Sequence, residues 1–375
     1  MLIKQLYIAG FRNIEAASLV TEKRVNVFFG KNGSGKTSVL ESLFYLGRAK
    51  SFRTNKKQEI VNTQASELVV SAKLEQKDTE HRLGIQLDEN GGNKLKLDGD
   101  VITRLSEASS LVPCQLITPE SFDVFWSSPK ARRGFLDFGL FHVEHEYQKQ
   151  WLEFSKLLKQ TNALLRAGNA SPRELEYWYK TYLIAGNKID SLREGFLQKH
   201  FSEAICLLTD EINDPDKAEL IKGVEVKYRR KNLDADLDEN KFKQALERDK
   251  RYKQVNYGPN RADITFVKDG VDISTMLSRG QAKMMFYLLE MAMVNIVSKV
   301  TGKNIAILID DLPSEVDPET RSTMIEMLLK TKAQIFVTGI ENKIAMEFNK
   351  YTDSVNVFHV EHGTIRAINM EQLCP

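Results

Sequence analysis

One stretch constrains this chain more than any other: Gly30-Lys31-Asn32-Gly33-Ser34-Gly35-Lys36-Thr37. It fills every fixed position of the phosphate-binding pattern G-x-x-x-x-G-K-[ST]. The three glycines let the backbone curl without Cβ clashes, so that successive N–H groups converge on one anion. Lys36 adds a mobile positive charge for β- and γ-phosphates, and the Thr37 hydroxyl suits a Mg²⁺ ion. The flanks agree with this reading. Val25-Asn26-Val27-Phe28-Phe29 is an apolar run of strand length, and Val39, Leu40, Leu43 and Phe44 recur at helical spacing after the loop. The loop therefore opens a helix whose N-terminus favours phosphate. Gly47 is the expected C-cap of that helix.

A chain of 375 residues, 42% of them hydrophobic, is long enough for a large head with an insertion. No run of about 18 consecutive apolar residues is present, so a membrane span is not expected. The N-terminus, Met1 to Ile8, reads as a strand rather than a secretion signal. The three cysteines, Cys114, Cys206 and Cys374, are far apart with no CxxC or His/Cys cluster, which argues against structural zinc and fits a reducing, cytoplasmic setting. A net charge of +2 leaves any nucleic-acid face to local clustering.

Residues 1–29 read as paired strands, with Leu2, Leu6 and Ile8 on one alternating face and Phe11-Arg12-Asn13-Ile14 in a turn. Arg12 and Asn13, just before the phosphate loop in sequence, either face the nucleotide or form a solvated turn. After the first helix, residues 48–57 carry five basic side chains in ten and no acid. Lys50, Arg53, Lys56 and Lys57 are thus the best local candidates for a phosphate backbone, against the alternative of a solvated loop. Residues 67–98 alternate as an antiparallel meander, with turn chemistry at Asn90 to Asn93 and at Asp98-Gly99. Gln115 to Glu120 is a short strand entering a helix. From Ser128 the texture becomes helical. One run is expected from Val143 to Arg166, with Tyr147, Trp151, Phe154, Leu158 and Leu165 near one face, followed by a short strand at Val224 to Arg229 and a charged helix around 238–250. No heptad is sustained, so no coiled-coil arm is expected. Gly258 to Asp263 marks the return to strand.

Two later elements complete a constellation. Leu277-Ser278-Arg279-Gly280-Gln281 opens an apolar helix, with Ser278 as N-cap and Arg279 and the Gly280 N–H at a second anion-favouring helix start. Ile305 to Ile309 is an apolar strand that ends in Asp310 and Asp311, the form of a Walker B strand. The first carboxylate then serves Mg²⁺, and the second polarises an attacking water. The strand Gln334 to Thr338 ends near the same place. Thr338 is either a supporting hydroxyl there or an ordinary strand-terminal threonine. A final strand pair is expected at 355–360 and 364–367.

In this order the residues resemble the ATP-binding-cassette class and, within it, the heads of the SMC and Rad50 group. The resemblance is greatest to the RecF family, carried over nearly the whole chain by Phe11 to Ile14, Gly30 to Thr37, Gln115 to Glu120, Pro129 to Asp137, Gly258 to Asp263, Leu277 to Gln281 and Ile309 to Asp317. It implies an α/β fold: a P-loop ABC-type ATPase head of mixed sheets with helices, formed by 1–127 and 255–375, interrupted by a mainly helical lobe, 128–254. It further implies binding of ATP and Mg²⁺, with Gln115 near the metal and attacking water. The helix start Ser278-Arg279-Gly280-Gln281 would meet the partner's nucleotide in an ATP-dependent homodimer, and Asp317 would close the D-loop Ser314-Glu315-Val316-Asp317. The family's setting is DNA, single-stranded or at gap junctions, in the cytoplasm with the nucleoid. RecO and RecR are its partners, and it directs RecA onto gapped DNA in recombinational repair, replication restart and the SOS response. Arg279 stands where transporter cassettes have glycine. Asp311 stands where many have glutamate, and no switch histidine follows Thr338, so slow, DNA-stimulated hydrolysis is expected. A transporter ATPase subunit and a structural chromosome organiser are the competing classes. The first lacks the family-specific segments, and the second needs heptads or a zinc hook.

Overall fold

The computed structural model describes residues 1–76, 78–88, 91–231, 239–312 and 316–373. Asn90, Ser314, Glu315 and Cys374 lie outside the described residues. The strands in chain order are β1 (Leu2–Phe11), β2 (Ile14–Val20), β3 (Val25–Phe29), β4 (Leu68–Gln76), β5 (Thr79–Leu87), β6 (Asn93–Leu97), β7 (Asp100–Ile102), β8 (Cys114–Ile117), β9 (Glu225–Arg229), β10 (Asp263–Lys268), β11 (Val271–Asp272), β12 (Ala306–Ile309), β13 (Gln334–Gly339), β14 (Val355–Glu361) and β15 (Thr364–Ile368). The chain divides into two compact units, residues 1–122 with 301–375, and residues 123–300.

The first unit holds two six-stranded sheets. One is antiparallel, in the order β2-β1-β4-β5-β6-β7, as the alternation over 67–98 predicts. Its last hairpin turns on Asp98 and Gly99, both at positive φ (52° and 99°), which is what a two-residue Asp-Gly loop requires. The expected inward face of β1 shifts in one place. Ile3 rather than Leu2 is fully buried with Leu6 and Ile8, because a bulge between Ile3 and Gln5 inserts an extra residue.

The second sheet runs β15-β14-β3-β13-β12-β8, with β14, β3, β13, β12 and β8 parallel. The phosphate-loop helix, Lys36–Arg48, packs into a core that draws on both sheets, with Val39, Leu40, Leu43 and Leu46 buried among residues such as Leu6, Val70, Leu308 and Phe336. This helix does not end on Gly47. Ala49 takes the left-handed C-cap position at φ 48°, and its N–H bonds Tyr45 O at 2.7 Å. Gly47 instead lets the helix approach the chain at Val112, whose carbonyl oxygen would lie 2.9 Å from a Cβ. The two sheets are clipped together by Gln334. Its buried amide accepts from Ile3 N at 2.8 Å and donates to the carbonyls of Ile3 (3.0 Å) and Thr21 (2.6 Å).

The second unit combines helices with the three-stranded sheet β11-β10-β9. Residues 255–300, expected with the head, make their contacts here, and the boundary falls at 300 rather than 255. The reason is pairing: β10 zips onto β9 from Asp263↔Arg229 to Val267↔Glu225, and Arg132 holds Asp263 at 3.0 Å. The helical run expected over 143–166 is one helix, Tyr147–Ala167, which starts four residues later than expected; Val143 instead closes the preceding helix, Pro129–Val143. Tyr147, Phe154, Leu157, Thr161 and Leu165 form the buried face of Tyr147–Ala167, with Trp151 and Leu158 at its margin. Helix Arg279–Thr301 is long and apolar enough to cross a membrane by composition, but thirteen of its residues are buried in the fold. Gly139 accommodates it: a Cβ there would lie 2.3 Å from Met293 Sδ.

Arg193 ties this unit together from a fully buried position. It donates to both carboxylate oxygens of Asp137 (2.9 and 3.0 Å), to Tyr228 Oη (3.0 Å) and to Pro259 O (2.7 Å), so three separate segments meet on one guanidinium. Removing one member of a buried pair leaves the other charged and uncompensated. Arg193→Met should therefore lower unfolding free energy by about 3–5 kcal/mol, read from urea denaturation; a loss within experimental error would show that the carboxylate is adequately solvated without it.

Candidate nucleotide site

Gly30 follows β3 at φ 155°, and Gly33 and Gly35 are at 77° and 117°, backbone angles that side-chain-bearing residues avoid. A Cβ on Gly30 would sit 2.1 Å from Val360 O, and one on Gly35 would meet the Asn13 amide at 3.0 Å. The loop is braced from outside. Asn13 Nδ2 donates to Ser34 O at 3.0 Å, Ser38 Oγ donates to Asn13 Oδ1 at 3.1 Å, and Gly363 N donates to Ser34 O at 2.8 Å. The Arg12-Asn13 turn thus packs against the phosphate loop. Arg12, at φ 53°, is turned onto Glu41 of the loop helix.

Lys36 folds over the loop and donates to Gly30 O (2.7 Å) and Lys31 O (3.0 Å). Burial lowers its pKa, an effect opposed by Asp311 and Asp310. Thr37 Oγ1 lies 3.0 and 3.1 Å from the two carboxylate oxygens of Asp310, a contact across 273 residues. Thr338 Oγ1, fully buried, donates to Asp310 Oδ1 at 2.8 Å and accepts the Asp311 N–H at 2.7 Å. Asp311 sits at φ 52°, a left-handed position uncommon for a non-glycine residue. Register explains the meeting. Ile309 pairs with Val337, so the next residues on the two strands, Asp310 and Thr338, emerge side by side.

These groups open on a cleft of about 710 Å³, lined among others by Arg12, Lys36, Thr37, Arg53, Asp310 and Asp311. Its donor set suits a Mg-nucleotide. Thr37 and Asp310 present hard oxygen ligands to a Mg²⁺ that would keep several waters. Ser34 Oγ is buried in the loop with no partner among the described residues, as befits a lining made for an anion. No group of three or more His, Cys, Asp or Glu that could hold a metal occurs among the described residues, so the oxygen pair stands without a carboxylate cage.

Other residues singled out by the sequence fall elsewhere. Gln115 sits within β8 opposite Ile307, three positions short of Asp310, and does not line the cleft; Pro119 and Glu120 from the same segment do. Asp317 caps helix Pro318–Lys330, accepting Thr320 N at 2.8 Å. Ser278, Arg279, Gly280 and Gln281 belong to the second unit, exposed at the start of helix Arg279–Thr301. There Ser278 Oγ accepts Gln281 N (3.3 Å) and Gln281 Oε1 accepts Ser278 N (3.0 Å), a reciprocal capping box. In the basic run Lys50 and Lys56 are exposed, Lys57 donates to Gly91 O at 2.7 Å, and Arg53 faces the cleft. Glu41 went unnoticed in the sequence. Its signal was a carboxylate one residue from Leu40 and two from Leu43, on a helix with a largely buried circumference.

A phosphate loop after β3, a second strand between it and the acid-bearing β12, and a companion antiparallel sheet define an α/β P-loop ATPase head of the ABC and SMC type. Comparison with known proteins agrees. The family model described as RecF/RecN/SMC N terminal domain matches residues 2–366. The DNA replication and repair protein RecF of Pseudoalteromonas translucida (strain TAC 125) is 34% identical over 370 residues, 97% of this chain and 99% of that protein. The chain belongs to the RecF family. A solved structure of the recombination mediator protein RecF-ATPrS in the RecFOR pathway superposes with a TM-score of 0.81 at 22% identity, covering 98% of each chain. An Smc head domain with an extended coiled coil, derived from Pyrococcus furiosus, shares the fold more distantly, at a TM-score of 0.56 and 15% identity over 99% of this chain and 97% of that one.

Because Thr338 holds both the Asp310 carboxylate and the Asp311 backbone, Thr338→Val keeps the volume and removes both bonds. Nucleotide hydrolysis should fall roughly a hundredfold through misplacement of the acids, while Mg²⁺-free nucleotide binding stays within a few-fold of wild type. Turnover at the wild-type rate in a single-turnover assay would show that the hydroxyl positions nothing.

Proposed function

We propose that this protein is an ATP-dependent DNA-binding protein of recombinational repair, in which nucleotide binding drives dimerisation and slow hydrolysis resets it. The observation that carries the reading is the cluster Thr37–Asp310–Thr338, which gathers a phosphate-loop hydroxyl and the acids of β12 at one end of the cleft. Lys36 neutralises the β- and γ-phosphates. Mg²⁺, held by Thr37 and Asp310, would polarise the phosphoryl oxygens. Asp311 orients and polarises the attacking water. Its side chain is one methylene shorter than glutamate, and a misplacement of about 1 Å lowers a rate roughly a hundredfold, so the hydrolysis acts as a timer rather than a motor.

The helix start at Ser278 acts in trans. Its hydroxyl oxygen already accepts the Gln281 N–H, which leaves the O–H proton free to donate to a partner's γ-phosphate. Two-fold symmetry makes two equal composite sites. The relatives' name, DNA replication and repair protein, and the solved relatives' setting in the RecFOR pathway support DNA as the substrate and RecO and RecR as partners. RecA loading on gapped DNA, in the cytoplasm, is the outcome that the family resemblance implies. Lys50, Arg53 and Lys56 are the exposed cations of the basic run, and Lys50 and Lys56, which do not line the cleft, are the best candidates for its DNA contact.

Ser278→Arg tests the shared site. The variant should bind labelled ATP nearly as well as wild type but fail to dimerise with ATP in sedimentation; an undiminished ATP-dependent dimer would overturn the mechanism. For DNA, the double variant Lys50→Ala/Lys56→Ala should lower the log–log salt slope of binding by about 0.7–0.9 per lost contact. An unchanged slope and affinity would make the run a solvated loop.

A further inference from the structure

Glu41 is a carboxylate with no solvent exposure, on the helix that starts at the phosphate loop. It is the hub of a closed ring of hydrogen bonds. Arg12 donates to both its oxygens, from Nη2 at 2.7 Å and from Nε at 3.0 Å. Ser51 Oγ donates to the same carboxylate and accepts the N–H groups of Arg53 (2.9 Å) and Thr54 (3.0 Å). Thr54 Oγ1 donates to Glu59 Oε2 at 2.6 Å and accepts Lys56 N at 3.1 Å. The ring closes where Arg12 Nη1 donates to Glu59 O at 2.6 Å. Residues 51–59, the greater part of the basic run, are therefore folded around one buried charge.

Three members of this ring and its attachments, Arg12, Arg53 and Glu59, also line the nucleotide cleft. Arg53 Nη1 stands 3.6 Å from Glu41 Oε2, too far for a hydrogen bond, with nearly half its side chain exposed. Two guanidiniums thus share the buried carboxylate of Glu41, with the half-exposed Glu59 beside them on the cleft wall. A polyanion entering the cleft competes with Glu41 for both, and Arg53 is the more easily drawn away. The exposed Lys50 and Lys56 lie on the same short segment.

We propose that Glu41, through Ser51, is the positioning residue that couples the nucleotide cleft to the DNA-facing loop. Nucleotide phosphates redistribute Arg12 and Arg53 away from Glu41, and the loop carrying Lys50 and Lys56 settles in a different conformation. DNA affinity then follows the nucleotide state within one head, in addition to any effect of dimerisation. Coupling between two sites is reciprocal, so DNA must tighten nucleotide binding by the same factor. The inference rests on the nucleotide and DNA reading of the preceding subsection.

The test uses a fluorescein-labelled gapped duplex and the full-length protein, with and without a non-hydrolysable ATP analogue. For wild type the ratio of the two DNA dissociation constants should be at least about fivefold, within the usual range of coupling. Ser51→Ala removes the hydroxyl and leaves every cationic side chain of the cleft and of the loop in place. It should lower the ratio at least about threefold, to what dimerisation alone contributes, with analogue affinity in the absence of DNA, and dimerisation in sedimentation, as in wild type. Ser51→Thr restores the hydroxyl and should restore the ratio. Glu41→Gln should lower the ratio likewise; if it does not fold, the Ser51 pair decides alone. A Ser51→Ala protein with the full wild-type ratio overturns the inference while leaving the nucleotide and DNA reading intact. A wild-type protein whose DNA affinity ignores the analogue removes that reading itself, and the inference with it.

Discussion

The contact on which the site depends is that of Thr37 with the Asp310 carboxylate, backed by Thr338. It requires three elements distant in sequence to end at one point. The parallel order β3-β13-β12 meets that requirement. A strand spacing of about 4.8 Å separates neighbours, so the loop helix springing from β3 must reach over β13 to find the acid. Thr338 is the residue of β13 that lies in that gap. Parallel strands in register end together, and their ends carry the polar groups while their interiors, such as Ile307, Leu308, Phe336 and Val337, stay fully buried.

Each unit is organised around a buried guanidinium–carboxylate pair rather than around apolar packing alone. In the first, Glu41 is the buried partner and Arg12 comes to it from the β1–β2 turn. In the second, Arg193 is the buried partner and Asp137 is less covered. Such pairs contribute little net stability over a well-packed apolar substitute, because desolvation offsets the attraction. They do penalise any arrangement that leaves one charge alone. Arg193 reads this way: three segments satisfy it, and any fold lacking one of them strands a donor. The same logic leaves Asp190 costly in its buried place. Burial pushes its carboxyl up to about 6 despite the Tyr228 hydroxyl it accepts. Being raised above the unfolded value, its contribution to stability is full at acid pH and is lost as pH rises through about 6.

Local chemistry was legible wherever a short motif fixes its own geometry. The glycines of the phosphate loop, the Asp98-Gly99 hairpin, the Ser278 cap and the apolar strand before Asp310 each specify their conformation within a few residues, and the structure has them there. What a sequence spacing cannot carry is the identity of a neighbour. Gly47 looked like a helix stop and is instead a point of close approach to Val112, a residue with no sequence relation to it. The Arg12-Asn13 turn likewise finds Ser34, Ser38 and Glu41, none of which its own sequence names as neighbours.

The sequence by itself determined the class of fold, the phosphate loop, the acids of β12 and the membership of the RecF family, because each is written in consecutive residues whose backbone needs are local. The tertiary structure alone decided that residues 255–300 pack with the second unit, since that follows from β10 pairing with β9 across an intervening helix. It alone set Gln115 away from the cleft, where register rather than residue type sets the distance from Asp310. It alone divided the basic run, giving Arg53 to the cleft wall and Lys50 to solvent. A charge run reads the same in sequence whether its side chains meet water, a nucleotide or a buried carboxylate. Only the fold supplies Glu41, and the cost of leaving that charge without a partner is what turns the run inward.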